Sequence, residues 1–375
     1  MWMEQVTRNW LTLELTGSAL QLGAVNFVRF LPAMAVGMLA GVLADRFSKK
    51  RLLLIAQLWS LIVYAAMTWV VLSGELRLWH LYASSLALSA GMSVSQPVRA
   101  AFIPDIVPQQ QVIGAMSLNA VGMNGSRFLL PALAGVLIAV VNPGWAYAVA
   151  TGFYVLLQLF TVLIRSSHAP AAAARQRSMM GDLGEGLRFV KGERTILGLI
   201  ASRLGPITVA SGFQVLIPVL AVQALGMGPG GYGALVSAEG LGSIIGGAAL
   251  ASQRRVPHQG LLAIASGTAL GSLLVAVAFS EVLAVTMLLF MIIGAAQITF
   301  QSSNNSALFG LTPAPFRGRM IGVRNQTRGL VPVSQLGAGA LADLVGVSVA
   351  FAVVGGASLL IFWAVLLWRP ELRKL

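Results

Sequence analysis

The length and spacing of its apolar stretches constrain this chain most. A bilayer-crossing helix needs about 20 mostly apolar residues. Eleven stretches meet that length, at roughly 19–43, 52–72, 79–103, 112–140, 145–164, 195–222, 231–252, 259–279, 282–309, 320–342 and 346–368. Hydrocarbon offers no hydrogen bonds, so each stretch must satisfy its own backbone, and it does so as a helix. Residues 1–16, MWMEQVTRNWLTLELT, are helical in character but short for a crossing. They also lack a Lys/Arg-bearing start. They read as the outer part of a first helix whose inner half is absent, which brings the expected total to twelve.

Composition agrees. Hydrophobic residues are 57% and charged residues 10% of the 375, whereas a soluble domain carries about 25% charged residues. The expectation is an all-α polytopic membrane protein. There is no Cys, and His80, His168 and His258 have no ligand spacing. No disulfide, metal centre or nucleophile-based enzyme is expected.

The net charge of +13 would suggest nucleic acid in a soluble protein. The loops explain it differently. Of the 25 basic residues, seventeen fall in loops on one side of the expected spans, and Arg77 alone falls on the other. Such asymmetry places the basic loops and both ends of a full-length chain in the cytoplasm, with no nucleic-acid partner. The other seven, Arg8, Arg29, Arg99, Arg127, Arg203, Arg324 and Arg328, lie within spans.

The chain also repeats itself. NGSRFLLP (124–131) returns as NQTRGLVP (325–332), an offset of 201 residues, and Gln96 and Pro108 are echoed by Gln301 and Pro313 at offset 205. The Ala/Pro/Arg-rich loop 165–194 separates six helices from six, and its stretch 180–191 reads as a short amphipathic surface helix. The expected organisation is a bundle over 1–164, a cytoplasmic linker over 165–194 and a second bundle over 195–375.

One loop carries a signature. GVLADRFSKKRLL (41–53) resembles the loop motif of the major facilitator superfamily, matching at Gly41, Asp45, Arg46, Lys49 and Lys50. Ser48 stands where the motif usually has Gly, and a decayed second copy, GAALASQRRV (247–256), has Ala251 in place of the Asp. The resemblance implies a major facilitator fold of two six-helix halves in pseudo-twofold repeat. It also implies an inner gate in which Asp45 meets the start of the eleventh helix, with Arg99 as the cationic partner. The other reading is a basic loop that only holds orientation.

Four stretches resemble one branch of that superfamily, the bacterial exporters that include the enterobactin exporters and the macrolide-efflux proteins. They are WMEQVTRNWLTLELTGSALQLG (2–23), RFLPAMAVGMLAGVLADRF (29–47), PVRAAFIPDIVP (97–108) and NGSRFLLPALAG (124–135). In that branch the first helix begins upstream of the position of Met1. The resemblance implies export.

A charge at bilayer depth costs at least about 2.5–3.5 kcal/mol, so every intramembrane charge is a candidate for function. Arg127 and Arg328 fall at matching places in the fifth and eleventh helices, each four residues before a proline, Pro131 and Pro332. The expected pseudo-twofold would set them across a central cavity. They either meet a polar substrate or brace the carbonyls that proline frees. Glu239 and then Glu4 are the candidates for proton coupling, since a proton-driven carrier needs a carboxylate that can be buried or paired. Arg29 is a substrate-cavity candidate and lies at a depth where it can pair with Glu239. Asp343 and Glu14 sit near outer helix ends.

Further cavity candidates are Gln96, Asn119, Asn124, Gln214, Gln297, Gln301, Asn304 and Asn325. Trp10, Phe30, Phe213 and Phe300 either form apolar wall or simply pack. No glycine-rich phosphate loop is present, so the expected drive is a proton gradient with no cofactor.

The expected function is a monomeric, alternating-access, proton-coupled exporter of a small amphipathic compound, a drug or a siderophore-like metabolite, in the bacterial cytoplasmic membrane. A lipid or lysolipid flippase or a uniporter on the same fold is the alternative. A non-transporting sensor or scaffold is a third possibility.

Overall fold

The computed structural model describes the chain except residues 165–189, 191, 254–258, 314–315, 317–319, 321–322, 325–326, 328 and 375, and the side chains of 33–46 and 373–374. Among the described residues the chain is helical and contains no strand. The first six helices are α1 (Trp2–Thr16), α2 (Ala19–Arg46), α3 (Lys49–Leu72), α4 (Leu78–Ile106), α5 (Val112–Val140) and α6 (Pro143–Leu163). After the loop come α7 (Arg194–Ala201), α8 (Phe213–Gln223), α9 (Pro229–Ala251), α10 (Gln259–Val277), α11 (Leu283–Leu311), α12 (Val331–Val345) and α13 (Val347–Trp368). Eight stretches among the described residues are long and apolar enough to cross a membrane.

The chain divides into two compact units. One contains Met1–Gly17 and Ala24–Gln176, the other Ser18–Gly23 and Arg177–Leu375. Helix α2 therefore starts in the second unit and continues in the first.

Two expected spans are not single helices. Over 195–222, α7 ends at Ala201, a π-helical turn covers Leu204–Val209, a 3₁₀ turn covers Ala210–Gly212, and α8 completes the run. Pro206 has no N–H to donate, and the ladder widens around it. The N–H groups of both Ile207 and Thr208 reach the carbonyl of Arg203. Over 320–342, Gly329 and Leu330 form a turn and α12 begins at Val331, with Pro332 in its first turn. Proline is well placed there, because that N–H would be unpaired in any case. Pro131, by contrast, lies inside a continuous α5. The backbone before Pro332, over the described Gly329 and Leu330, thus differs from that before Pro131.

Within each unit, glycine sets the closest helix contacts, as is common between membrane helices. In the second unit α9 and α11 form the most extensive helix pair. A Cβ on Gly242 would lie 1.7 Å from the carbonyl oxygen of Met291, and one on Gly294 would lie 1.9 Å from that of Glu239. An aromatic chain runs through the same unit, Phe213 to Phe290 at 5.9 Å and Phe290 to Phe351 at 6.4 Å between ring centroids. Phe213 and Phe300 are fully buried, so both are core packing.

Candidate functional site

In the first unit, the sequence places Glu4 and Arg8 one turn apart, on one face of α1. The Arg8 Nε donates to Glu4 Oε1 at 2.7 Å, and Arg29 Nη1 of α2 donates to Glu4 Oε2 at 3.0 Å. Arg8 Nη2 continues to Asn26 Oδ1 at 3.3 Å, and Asn26 Nδ2 reaches Asn9 Oδ1 at 3.2 Å. Glu4 and Arg8 are buried, at 1% and 0% exposure, and Arg29 keeps 17%. One carboxylate thus serves two guanidiniums. Within the first unit Arg29 is held by Glu4. The rotation of α2 about its axis turns Arg29 toward α1, which hydropathy alone does not specify.

Arg29 Nη2 also lies 3.4 Å from the Met92 sulfur, and Met92 forms part of the wall of a cavity of about 400 Å³ inside the first unit. Polar groups of that wall come from α3 (Gln57, Ser60), α4 (Gln96, Arg99), α5 (Asn119) and α6 (Tyr154). Arg99 Nη2 donates to Gln96 Oε1 at 2.7 Å, so these two candidates form one polar edge. Trp2 and Phe153 supply apolar wall. The Arg127 guanidinium stacks over the Trp2 ring, 5.3 Å from its centroid. Asn124 is exposed and donates back to the Ala120 carbonyl of its own helix at 2.9 Å.

The loop motif is only partly visible. Gly41, Asp45 and Arg46 lie in the last turns of α2, and the side chains of all three are outside the described residues. Lys49 donates to Asp105 Oδ2 at 2.7 Å and to the Ala101 carbonyl at 3.2 Å. Lys50 caps the end of α6, donating to the carbonyls of Val162 at 2.8 Å and Ile164 at 2.6 Å. A cation at a helix C-terminus is electrostatically favourable. The basic pair ties the ends of α4 and α6 to the start of α3 within one unit.

The second unit has its own buried cation. Arg203, at the break after α7, is 1% exposed. Its Nη1 donates to Asn304 Oδ1 at 3.0 Å and Asn305 Oδ1 at 3.2 Å, both on α11. Asn304 Nδ2 returns to the Leu199 carbonyl at 3.1 Å and the Ser202 hydroxyl at 3.2 Å. Arg324 also approaches Asn305, at 3.5 Å, and lies over the Phe309 ring at 5.7 Å. Gln301 sits half-buried one turn before Asn304 and Asn305 on α11. Glu239 is 3% exposed in α9, and the Ser243 hydroxyl donates to its backbone carbonyl at 3.1 Å. Asn325 and Arg328 lie outside the described residues.

Over residues 1–375 the chain matches the family described as transmembrane secretion effector. It belongs to that family of major facilitator transporters. A staphyloferrin A transporter of Staphylococcus aureus is 24% identical over 363 residues, 94% of this chain and 89% of that protein. The multidrug efflux pump Tap of Mycobacterium tuberculosis is 26% identical over 367 residues, 91% of this chain and 83% of the pump. The fold is that of the crystal structure of the nucleoside transporter NupG, with a TM-score of 0.70, 14% identity, and coverage of 98% of this chain and 96% of that one. The expected fold is thereby shown, and the relatives are transporters, not enzymes.

Sequence reasoning about this effector-family transporter missed Asp105, Asn26 and Asn305 as partners of its charges. The signal for Arg8 was present in the Glu4–Arg8 spacing. Partners on other helices, such as Asn304 for Arg203, 101 residues away, leave no mark in a single sequence.

Proposed function

We propose that this transporter exports a small amphipathic compound, a drug or a siderophore-like metabolite, in exchange for protons by alternating access. The observation that supports it most is the near full-length relation to a siderophore transporter and a multidrug efflux pump. The cavity in the first unit is consistent with it: its wall is mostly apolar, with Trp2 and Phe153 among its residues, and Arg99 and Gln96 add polar groups. Such mixed lining orients a ligand by a few polar contacts while apolar wall supplies affinity.

In this reading the transporter works as a single chain in the bacterial cytoplasmic membrane with its basic loops inside. Asp45, Arg46 and Arg99 belong to the inner gate, and Lys49 and Lys50 hold its base. Gln96, Asn124, Arg127, Gln301, Asn325 and Arg328 line the substrate path. Glu239 is the proton carrier. It is favoured over Glu4 because Glu4 is committed to two guanidiniums, and protonating it would break two buried ion pairs at once.

Everted membrane vesicles test the coupling. With respiration energised, vesicles carrying the transporter should accumulate ethidium, and a protonophore should abolish this. Glu239→Gln should retain exchange of ethidium down its own gradient but lose the proton-driven part. Unchanged pH-dependent accumulation in that variant would sink the assignment. Accumulation of a fluorescent lysolipid instead, indifferent to the protonophore, would favour the flippase.

A further inference from the structure

The start of α2 is capped from a distance. Three backbone N–H groups open this helix, and all three are satisfied. Gln21 donates to the hydroxyl of Ser18 at 3.2 Å, the local capping arrangement expected of Ser at this position. The other two go to one carboxylate on α12: Ala19 to Asp343 Oδ1 at 2.7 Å and Leu20 to Asp343 Oδ2 at 3.1 Å. The Ser18 hydroxyl donates to the same Oδ2 at 2.5 Å. A carboxylate at a helix N-terminus also meets the positive end of its dipole.

The packing around this cap is as close as backbones allow. A Cβ on Gly339 would lie 2.2 Å from the carbonyl oxygen of Ala19, and one on Gly23 would lie 2.7 Å from the Cα of Leu336. Two glycines, one on each helix, thus let the first turn of α2 lie directly on α12. These contacts are all within the second unit, to which Ser18–Gly23 belong, whereas the rest of α2 belongs to the first.

We infer that Asp343 is a positioning residue of the transport cycle, a latch that holds the first turn of α2 on α12 and is released when the transporter changes state. The inference rests on the alternating-access reading above. In that mechanism one half rocks against the other, and α2 is the helix whose first turn packs within one unit and whose remainder packs within the other. The chemistry of the latch suits repeated opening. Asp343 is exposed, so its release returns a carboxylate to water and leaves no buried charge behind. The first-turn N–H groups lie at the same helix end, opposite the basic loop, and regain water as well.

The chain contains no cysteine, so single introduced thiols report cleanly. Leu22, in the latched turn, and Ala350, in the core of α13, both have 0% exposure. The experiment measures alkylation of Leu22→Cys and Ala350→Cys by a membrane-impermeant maleimide in proteoliposomes without substrate. Adding Asp343→Asn should raise the rate at Leu22→Cys by about tenfold, the effect of losing roughly one charge-assisted hydrogen bond. The rate at Ala350→Cys should stay unchanged, and Asp343→Glu should bring the Leu22→Cys rate back toward that of the parent. A rise at both positions would mean general loosening, and no rise at either would mean that Asp343 holds nothing; each overturns the latch. Because the labelling needs no substrate, failure of proton-driven export in vesicles would leave this result intact.

Discussion

Glu4 sits at the centre of a buried charged network in the first unit. It neutralises one guanidinium of two, with Asn26 and Asn9 completing the network. Removing one partner of a buried pair costs about 3–5 kcal/mol, because the remaining charge stays buried without compensation. Glu4→Gln strands two guanidiniums, whereas Arg29→Gln still leaves a Glu4–Arg8 pair. The thermal midpoint in detergent should therefore fall further for Glu4→Gln than for Arg29→Gln, and the double variant should be closer to Glu4→Gln than to the sum of the two. A midpoint for Arg29→Gln equal to that of the parent would show that Arg29, with its residual exposure, is not part of the buried network, and one as low as that of Glu4→Gln would contradict the ordering. This triad was half legible. The four-residue spacing of Glu4 and Arg8 is visible in the sequence, but Arg29 joins them only because of how α2 is rotated.

At the scale of helices, the second unit depends on close approach. Gly242 and Gly294 allow α9 and α11 to meet backbone to backbone. Overpacking of a tight contact typically costs about 1–3 kcal/mol, and here the added methyl meets carbonyl oxygens rather than flexible side chains. Gly242→Ala and Gly294→Ala should each lower the thermal midpoint and the yield of folded protein. Gly356→Ala is the control, since nothing lies within 4 Å of an added Cβ there. It should be neutral or gain about 0.5–1 kcal/mol from helix propensity. If all three behave alike, backbone contact is not what fixes this pair.

The positions of the helices could be read from apolar length because the bilayer fixes it. Their internal breaks could not be read the same way. The Gly205–Pro206 turn and the turn before Pro332 sit inside stretches of uniform hydropathy, where only the missing N–H of proline signals a departure. The remote cap by Asp343, 324 residues from Ala19, depends on tertiary placement alone.

For the whole molecule, the family, the fold and the transport role follow from the match along 1–375 and from the relatives. The repeat of Arg127 and Arg328 marked two related halves, although the structure shows that Pro131 and Pro332 serve different backbones. Arg127 lies over Trp2, at the edge of the cavity that also holds Gln96 and Arg99. The central claim is that a proton gradient drives an amphipathic compound through this fold. It is tested most directly in proteoliposomes of purified protein given an imposed pH gradient, acid inside, with ethidium outside and no ATP. The account predicts ethidium accumulation above its equilibrium level in the fraction of molecules inserted inside-out, abolished by nigericin. Uptake that reaches the same level with and without the gradient would contradict it.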